Sequence, residues 1–240
     1  MDSVDSLPPA VETSGLGRRY GRRWALVDVT LRVPRGVRVM LTGRNGSGKS
    51  TLLRVVATAL RPDRGRARVT GYDVVTQREP VRRASALLGH YSGHYEALSA
   101  LENLQVAARF LGIDDRPAVL RERLGEFRLA ERADDPVSTF SAGMRRRLAL
   151  ARTVMQPASV VMLDEPYGEL DVEGCALVDA LLERLHAERR TVLMATHLLE
   201  RGRDLCDEAV VLEQGRLVFA GPAAELPMPD QWSERQRGVA

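Results

Sequence analysis

The stretch Gly43-Arg44-Asn45-Gly46-Ser47-Gly48-Lys49-Ser50-Thr51 decides the fold of this chain of 240 residues. Its spacing is G-x-x-x-x-G-K-[ST], the pattern of a loop whose backbone N–H groups surround phosphate oxygens. An apolar run, 37–41, precedes the loop, and a helical stretch, 51–60, follows it. The motif requires this order of strand, loop and helix, and the helix N-terminus adds partial positive charge. The sequence therefore predicts a nucleotide-binding loop over residues 43–51.

Lys49 is the only lysine in the chain, since every other member of the 35 Lys and Arg residues is arginine. An ammonium is a compact point charge, which we expect to reach the β- and γ-phosphates of a nucleotide. The hydroxyl of Ser50 is placed to hold Mg²⁺. We therefore predict Lys49 as a catalytic residue and Ser50 as a metal ligand.

The composition is typical of a soluble globular chain with a sizeable core, at 44% hydrophobic and 28% charged residues. The net charge of +3 is small. Arginine clusters such as 145–147 are more often solvated faces than nucleic-acid sites, so we expect no nucleic-acid partner. Cys175 and Cys206 lack a C-x-x-C pattern, which indicates reduced thiols without a metal. No apolar run approaches the roughly 18 residues of a membrane span, so we expect any work at a membrane to need a partner.

Two further strand ends carry candidate catalytic residues. An apolar run, 160–163, is followed by Asp164 and Glu165. In phosphate-loop ATPases an Asp at this position binds Mg²⁺, and the adjacent Glu165 is positioned as general base on the attacking water. His197 follows another apolar run, 191–196, at the place of a γ-phosphate sensor. A lone histidine at a strand end is otherwise a surface or core residue.

The stretch Phe140-Ser141-Ala142-Gly143-Met144 opens a further helical segment. Ser141 is typical of a helix N-cap, and Gly143 allows close approach of a backbone. A Ser-x-Gly at a helix start can bind an anion, although in isolation an ordinary capped helix is the simpler interpretation.

Changes of pattern along the chain predict its domain organisation. Residues 1–14 are expected to form a flexible leader and residues 227–240 a short polar tail. Residues 15–89 and 159–226 carry strand-like runs and are predicted to form a nucleotide-binding core. Residues 90–158 carry helical patterns, opened by a capping box at Ser99-Ala100-Leu101-Glu102, and are predicted to be a helical subdomain inserted into that core.

Taken together, these motifs resemble the ATP-binding-cassette (ABC) family over residues 15–226. The resemblance implies an α/β fold: a RecA-like P-loop NTPase core with a mostly parallel central sheet, an N-terminal antiparallel β-subdomain and an inserted α-helical subdomain. The matching motifs are Walker A (43–50), Walker B (160–164), the catalytic glutamate (Glu165), the signature (141–144), the D-loop (168–171, ending at Asp171), the switch histidine (His197) and the adenine-stacking aromatic (Tyr20).

The family resemblance also implies cofactors and partners. ATP and Mg²⁺ are the expected cofactors, and hydrolysis of ATP the expected reaction. A second nucleotide-binding subunit, identical or not, would form a head-to-tail dimer in which Ser141, Gly143 and Asp171 approach the nucleotide of the other subunit. The chain would then be the motor subunit of a transporter, attached to a separate transmembrane permease at the cytoplasmic face of the membrane.

Two departures from the family pattern bear on this prediction. Ala142 and Met144 replace the glycine and glutamine of the signature, which we expect to alter affinity or rate rather than to abolish activity. The segment 89–104 lacks the Q-loop glutamine, for which Tyr91, Ser92 and His94 are candidate replacements.

The segment 89–104 resembles the haem-exporter ATPase subunit of cytochrome c maturation, so haem export is the expected transport function. The alternatives are a small-molecule, drug or lipid exporter, a soluble ABC ATPase acting on ribosomes or DNA, and a degenerate cassette that binds ATP without turnover.

Overall fold

Two β-sheets and seven α-helices make up the part of the chain that the computed structural model describes, residues 7–89 and 93–232. The strands are β1 (Val11–Tyr20), β2 (Arg23–Val33), β3 (Arg38–Thr42), β4 (Arg64–Val69), β5 (Tyr72–Asp73), β6 (Ser85–Leu88), β7 (Val160–Asp164), β8 (Thr191–Ala195), β9 (Glu208–Glu213) and β10 (Arg216–Pro222). The helices are α1 (Lys49–Val56), α2 (Arg78–Ala84), α3 (Ala100–Leu111), α4 (Pro117–Glu126), α5 (Ala142–Val154), α6 (Val172–Ala187) and α7 (Leu199–Leu205).

The central sheet has the strand order β10-β9-β3-β8-β7-β6. Strand β3 pairs in parallel with β8 and β9, and β8 pairs in parallel with β7, whereas β10 returns antiparallel to β9. Strands β7 and β8 are buried along their whole length, which explains why their sequences are continuous apolar runs. The carboxyl ends of β3, β7 and β8 therefore lie side by side and carry the predicted loop, acidic pair and histidine.

A second, antiparallel sheet has the order β2-β1-β4-β5. Strand β1 begins at Val11, inside the stretch 1–14 that the sequence assigns to a leader. Val11 is fully buried and faces Val33 on one side and Val69 on the other, so the pairing partners that order residues 11–14 are distant in sequence. At the other end, Trp232 in the predicted tail is buried, and its indole N–H donates to the Pro227 carbonyl.

The described chain divides into two compact units. One comprises residues 7–87, 158–165 and 182–232, with both sheets and helix α1. The other comprises residues 88–157, apart from 90–92, together with 166–181. The second unit holds α3, α4 and α5, which pack against one another. The sequence assigns this helical region to 90–158 and does not predict that 166–181 accompanies it.

The helical unit begins α3 with the predicted capping box. The Ser99 hydroxyl accepts from the Glu102 N–H, and the Glu102 carboxylate accepts from the Ser99 N–H. Within the described ranges, no helix combines the length and the apolar character that crossing a membrane requires.

Candidate nucleotide-binding site

The phosphate loop runs from the end of β3 to the start of α1, and its glycines are required by geometry. Gly43 and Gly48 have φ angles of +139° and +111°, which L side chains rarely adopt. A Cβ on Gly43 would lie 2.0 Å from the Leu212 carbonyl oxygen, and one on Gly48 would lie 2.5 Å from the Ala25 carbonyl oxygen. The loop is therefore held between β9 and β2, with no room for side chains at these two positions.

Lys49 is buried, at 7% exposure, and its ammonium lies inside the phosphate loop. Its Nζ donates to the carbonyls of Gly43, at 2.8 Å, and of Arg44, at 3.3 Å. Burial lowers the pKa of Lys49, and three nearby carboxylates oppose this shift: Glu165, Asp164 and Glu213. The only lysine of the chain is thus fixed at the point where a phosphate would meet the loop.

Ser50 and Asp164 meet at the head of α1 and the end of β7. The Ser50 hydroxyl lies 3.0 Å from Asp164 Oδ1, and the Asp164 side chain is buried. The nearby Ser47 hydroxyl is buried without a hydrogen-bond partner among the described residues. The structure therefore brings together the two residues predicted from sequence as metal ligands.

Glu165 and His197 form a hydrogen-bonded pair. Glu165 Oε2 lies 2.9 Å from His197 Nδ1, and the Glu165 N–H donates to the Ala195 carbonyl at the end of β8. Glu165 has a φ angle of +51°, a left-handed conformation that costs about 1–3 kcal/mol for a residue other than glycine. The imidazole is largely exposed, whereas the carboxylate is partly covered. Backbone strain thus accompanies the residue predicted as general base.

A cavity of about 520 Å³ lies over the phosphate loop. It is lined by Tyr20, Arg23, Ala25, Asn45, Gly46, Ser47, Gly48, Lys49, Ser50, Thr51 and Glu165. Among the predicted residues of the unit that holds both sheets, four do not line it: Gly43, Arg44, Asp164 and His197. The sequence did not identify Arg23 and Ala25 as site residues. Both follow Tyr20 closely, and because they are two positions apart they lie on the same face of β2.

Tyr20 ends β1 at the rim of the cavity with its ring about half exposed. The Arg18 guanidinium lies over the ring, 5.3 Å from its centroid, and is held by an ion pair with Asp63 at 3.2 Å. This is a cation–π contact, which leaves the remainder of the ring available to a second planar group such as a purine.

Ser141 and Gly143 lie at the start of α5, in the helical unit. The Ser141 hydroxyl accepts from the Met144 N–H at 3.2 Å, as predicted for an N-cap. A Cβ on Gly143 would lie 3.0 Å from the Glu169 carbonyl oxygen, so the signature stretch packs on the D-loop stretch 168–171. Asp171 accepts from the Gly174 N–H at 2.7 Å and so caps the first turn of α6. These bonds are structural roles, and the contact of the three residues with a nucleotide stays a prediction.

Of the three candidates to replace the missing Q-loop glutamine, the structure describes only His94. Tyr91 and Ser92 lie outside the described residues. His94 Nε2 lies 3.0 Å from the Arg145 carbonyl oxygen, and burial lowers the pKa of His94. Its ring is therefore engaged with the start of α5.

Comparison with known proteins identifies the family. The family model described as ABC transporter matches residues 26–168. The daunorubicin resistance ATP-binding protein DrrA3 of Streptomyces coeruleorubidus is 40% identical over 90% of this chain, and the Nod factor export ATP-binding protein I of Ralstonia nicotianae is 33% identical over 91% of it. The chain spans about two thirds of the length of these curated relatives, 69% and 68% respectively.

A solved structure shares the fold. The structure of an ATP-binding subunit of an ABC transporter matches with a TM-score of 0.84 at 27% identity, covering 95% of this chain and 99% of that one. The predicted α/β fold, with its mostly parallel sheet, antiparallel sheet and helical region, is confirmed. The chain belongs to the ABC transporter family and is an ATPase subunit with the fold of that family.

Proposed function

We propose that this chain powers the export of a small organic molecule through a separate transmembrane permease. The observation that carries the ATPase role is the meeting of the enclosed Lys49, the Ser50–Asp164 pair and Glu165 at one end of the central sheet. The cargo class rests on the relatives, which are named for daunorubicin resistance and Nod factor export. These relatives favour the small-molecule alternative and give no support to haem export.

ATP is the nucleotide that this site suits. The cavity has an aromatic ring at one end, Tyr20, and the phosphate loop at the other. Ser50 and Asp164 supply oxygen donors of the kind that Mg²⁺ prefers, and they would hold the ion beside the phosphates. When bound, Mg²⁺ neutralises charge on the phosphate chain.

Glu165 is proposed as the general base. Its carboxylate would accept a proton from the attacking water, and the hydrogen bond with His197 would keep it oriented. The left-handed backbone at Glu165 and its bond to Ala195 aim the side chain from a fixed position. A positioned base of this kind contributes about 10²–10⁴-fold to the rate.

A head-to-tail dimer is proposed because the signature stretch offers groups that its own chain does not use fully. The α5 N-terminus presents N–H groups and partial positive charge beside Ser141 and Gly143. In a dimer these groups would face the γ-phosphate held by the partner's phosphate loop. Closing on ATP and opening after hydrolysis would then drive a permease, with this subunit peripheral at the cytoplasmic face of the membrane.

The decisive experiment is recovery of the partner. A tagged Glu165→Gln variant is expressed in the native host and purified from detergent-solubilised membranes with ATP, and the bound proteins are identified by mass spectrometry. We expect a polytopic membrane protein to co-purify with the Glu165→Gln variant. It should not co-purify with a Lys49→Ala variant that is purified in the same way. Recovery of ribosomal proteins or nucleic acid without a membrane protein would contradict the proposal.

The cargo class is tested separately in cells. Accumulation of daunorubicin is compared between cells that produce the wild-type subunit with its permease and cells that produce Lys49→Ala. We expect lower accumulation with the wild type, and equal accumulation would contradict a cargo of this kind.

A further inference from the structure

Arg23 stands opposite Tyr20 at the mouth of the cavity. Strand β1 ends at Tyr20 and β2 begins at Arg23, with Gly21 and Arg22 in the turn between them. Tyr20 and Arg23 are direct partners in the antiparallel pair, so their side chains project from the same face, with Cβ atoms about 5 Å apart. Both side chains line the cavity, and Arg22 does not.

The Arg23 guanidinium reaches over the phosphate loop. Its Nη2 lies 3.9 Å from the point that a Cβ on Gly46 would occupy. Gly46 has a φ angle of +76° and no side chain, so nothing separates the guanidinium from the backbone at the outer turn of the loop. Arg23 is thus an exposed cation that faces the loop, whereas Lys49 is buried within the loop.

The Arg23 side chain makes no hydrogen bond, ion pair or ring contact with any residue in 7–89 or 93–232. Two other arginines of this sheet are engaged. Arg18 pairs with Asp63 and stacks on Tyr20, while Arg64 stacks on the Trp24 ring at 4.9 Å. Arg23 is therefore an exposed cation without a counter-charge, held at the rim of an anion-binding loop.

We infer that Arg23 binds the phosphate chain of the nucleotide from the side opposite the phosphate loop. The inference rests on the proposed nucleotide site and adds a residue to it. Arg23 pairs with Tyr20 at the base end of the cavity, and its guanidinium reaches toward Gly46 on the phosphate loop. The phosphates within its reach are therefore those between the base and the terminal phosphate. ATP and ADP share these phosphates. A guanidinium presents a planar fork of N–H donors that matches phosphate oxygens.

This position determines which kinetic constant depends on Arg23. A contact made equally with bound ATP and with the transition state changes KM and leaves kcat unaltered. Arg23 therefore acts in binding, in contrast to Glu165, whose loss lowers kcat. The contact is solvent-exposed, so it weakens as salt screens it.

Calorimetric titration with ATP and with ADP tests the inference on the purified full chain. Arg23→Ala is compared with wild type, with Arg23→Lys and with Arg22→Ala, the matched control from the same turn. We expect Arg23→Ala to weaken both nucleotides by about tenfold at low salt. Arg22→Ala should stay within about twofold of wild type and Arg23→Lys should fall between the two. The Arg23→Ala deficit should shrink toward 1 M salt.

Three results would overturn the inference. Arg23→Ala could bind both nucleotides as wild type does, or it could lose affinity for ATP alone. The deficit could also be independent of salt, which would indicate a structural change rather than a lost charge contact. If wild type itself binds neither nucleotide, the proposed function fails and the inference fails with it.

Discussion

The phosphate loop is enclosed by its own chain, whereas Ser141 of the signature stretch is exposed at the start of a helix. Backbone carbonyls of β9 and β2 press on Gly43 and Gly48, and Lys49 is buried among loop carbonyls. Ser141, in contrast, is exposed and makes a single capping bond at the start of α5. The phosphate loop is therefore held in place by contacts within its own chain. The signature helix start has backbone N–H groups that could bind a further acceptor.

This difference suggests separate roles for the phosphate loop and the signature stretch. An enclosed loop can bind a nucleotide with the contacts of one chain, because the positions of its donors are already set. An exposed helix start gains its full value only when an anion or a second chain covers it. We therefore expect substitutions in the loop to remove nucleotide binding, and substitutions in the signature to spare binding and remove turnover.

The largest effect is expected from Lys49→Arg. The ammonium sits between the carbonyls of Gly43 and Arg44 in a space that a planar guanidinium does not match. Displacement of the positive charge from its place at the terminal phosphate should lower ATP hydrolysis by about 10³-fold, measured as phosphate release. Arg61→Lys, an exposed change elsewhere in the same unit, is the control and should leave the rate unchanged. A rate within tenfold of wild type for Lys49→Arg would show that the loop can adjust to a guanidinium and is not rigidly enclosed.

Gly43→Ala tests the enclosure of the loop itself. The new Cβ would lie 2.0 Å from the Leu212 carbonyl, so β9 or the loop must shift. Gly112→Ala is the matched control, because Gly112 has a φ angle of +65° but open space around it. We expect Gly43→Ala to lower the free energy of unfolding in urea by at least about 2 kcal/mol more than Gly112→Ala does. Equal losses would mean that the loop is not held by β9.

Ser141→Ala tests the open side of the comparison. Loss of an N-cap costs about 1 kcal/mol of stability, and Ser99→Ala removes the equivalent bond at the start of α3. We expect the two variants to lose similar stability and to bind ATP as wild type does. Only Ser141→Ala should lose turnover, by more than about tenfold. Similar turnover in the two variants would show that Ser141 acts only as a helix N-cap and has no role in hydrolysis.

The smallest effect is a pH dependence within the helical unit. Burial lowers the pKa of His94 below its value in the unfolded chain, so the unfolded state binds the proton more readily. Stability is therefore complete above the unfolded pKa, near 6.5, and declines as pH falls through the lower folded pKa. Urea unfolding at several pH values should show this decline, and His94→Gln should flatten it. An unchanged pH profile in His94→Gln would assign the decline to other groups.

Local patterns allowed much of the site to be predicted from the sequence. The loop, the Ser50–Asp164 pair and the capping box at Ser99 depend on a few residues next to a strand end or helix start, so spacing alone locates them. The continuous apolar runs of β7 and β8 likewise indicate buried parallel strands.

Long-range pairing accounts for what the sequence did not predict. Val11 is ordered by Val33 and Val69, and Arg23 reaches the cavity only because a tight turn places β2 above the phosphate loop. The hairpin turn after β9 also supports the loop, since the Gly215 N–H donates to the Ser47 carbonyl at 2.9 Å. The expectation of haem export rests on the segment 89–104, whereas under the proposed function the cargo contacts the permease. The residues of this chain are therefore not expected to determine which cargo is transported.

In the proposed dimer, each hydrolytic site joins the phosphate loop of one chain to the signature of another. Mixing purified Lys49→Ala and Ser141→Ala chains and measuring ATP hydrolysis tests it most directly. A mixed dimer holds one site with both parts intact, so we expect activity well above the sum of the separate variants, up to about a quarter of wild type. A mixture no more active than the separate chains would contradict the claim.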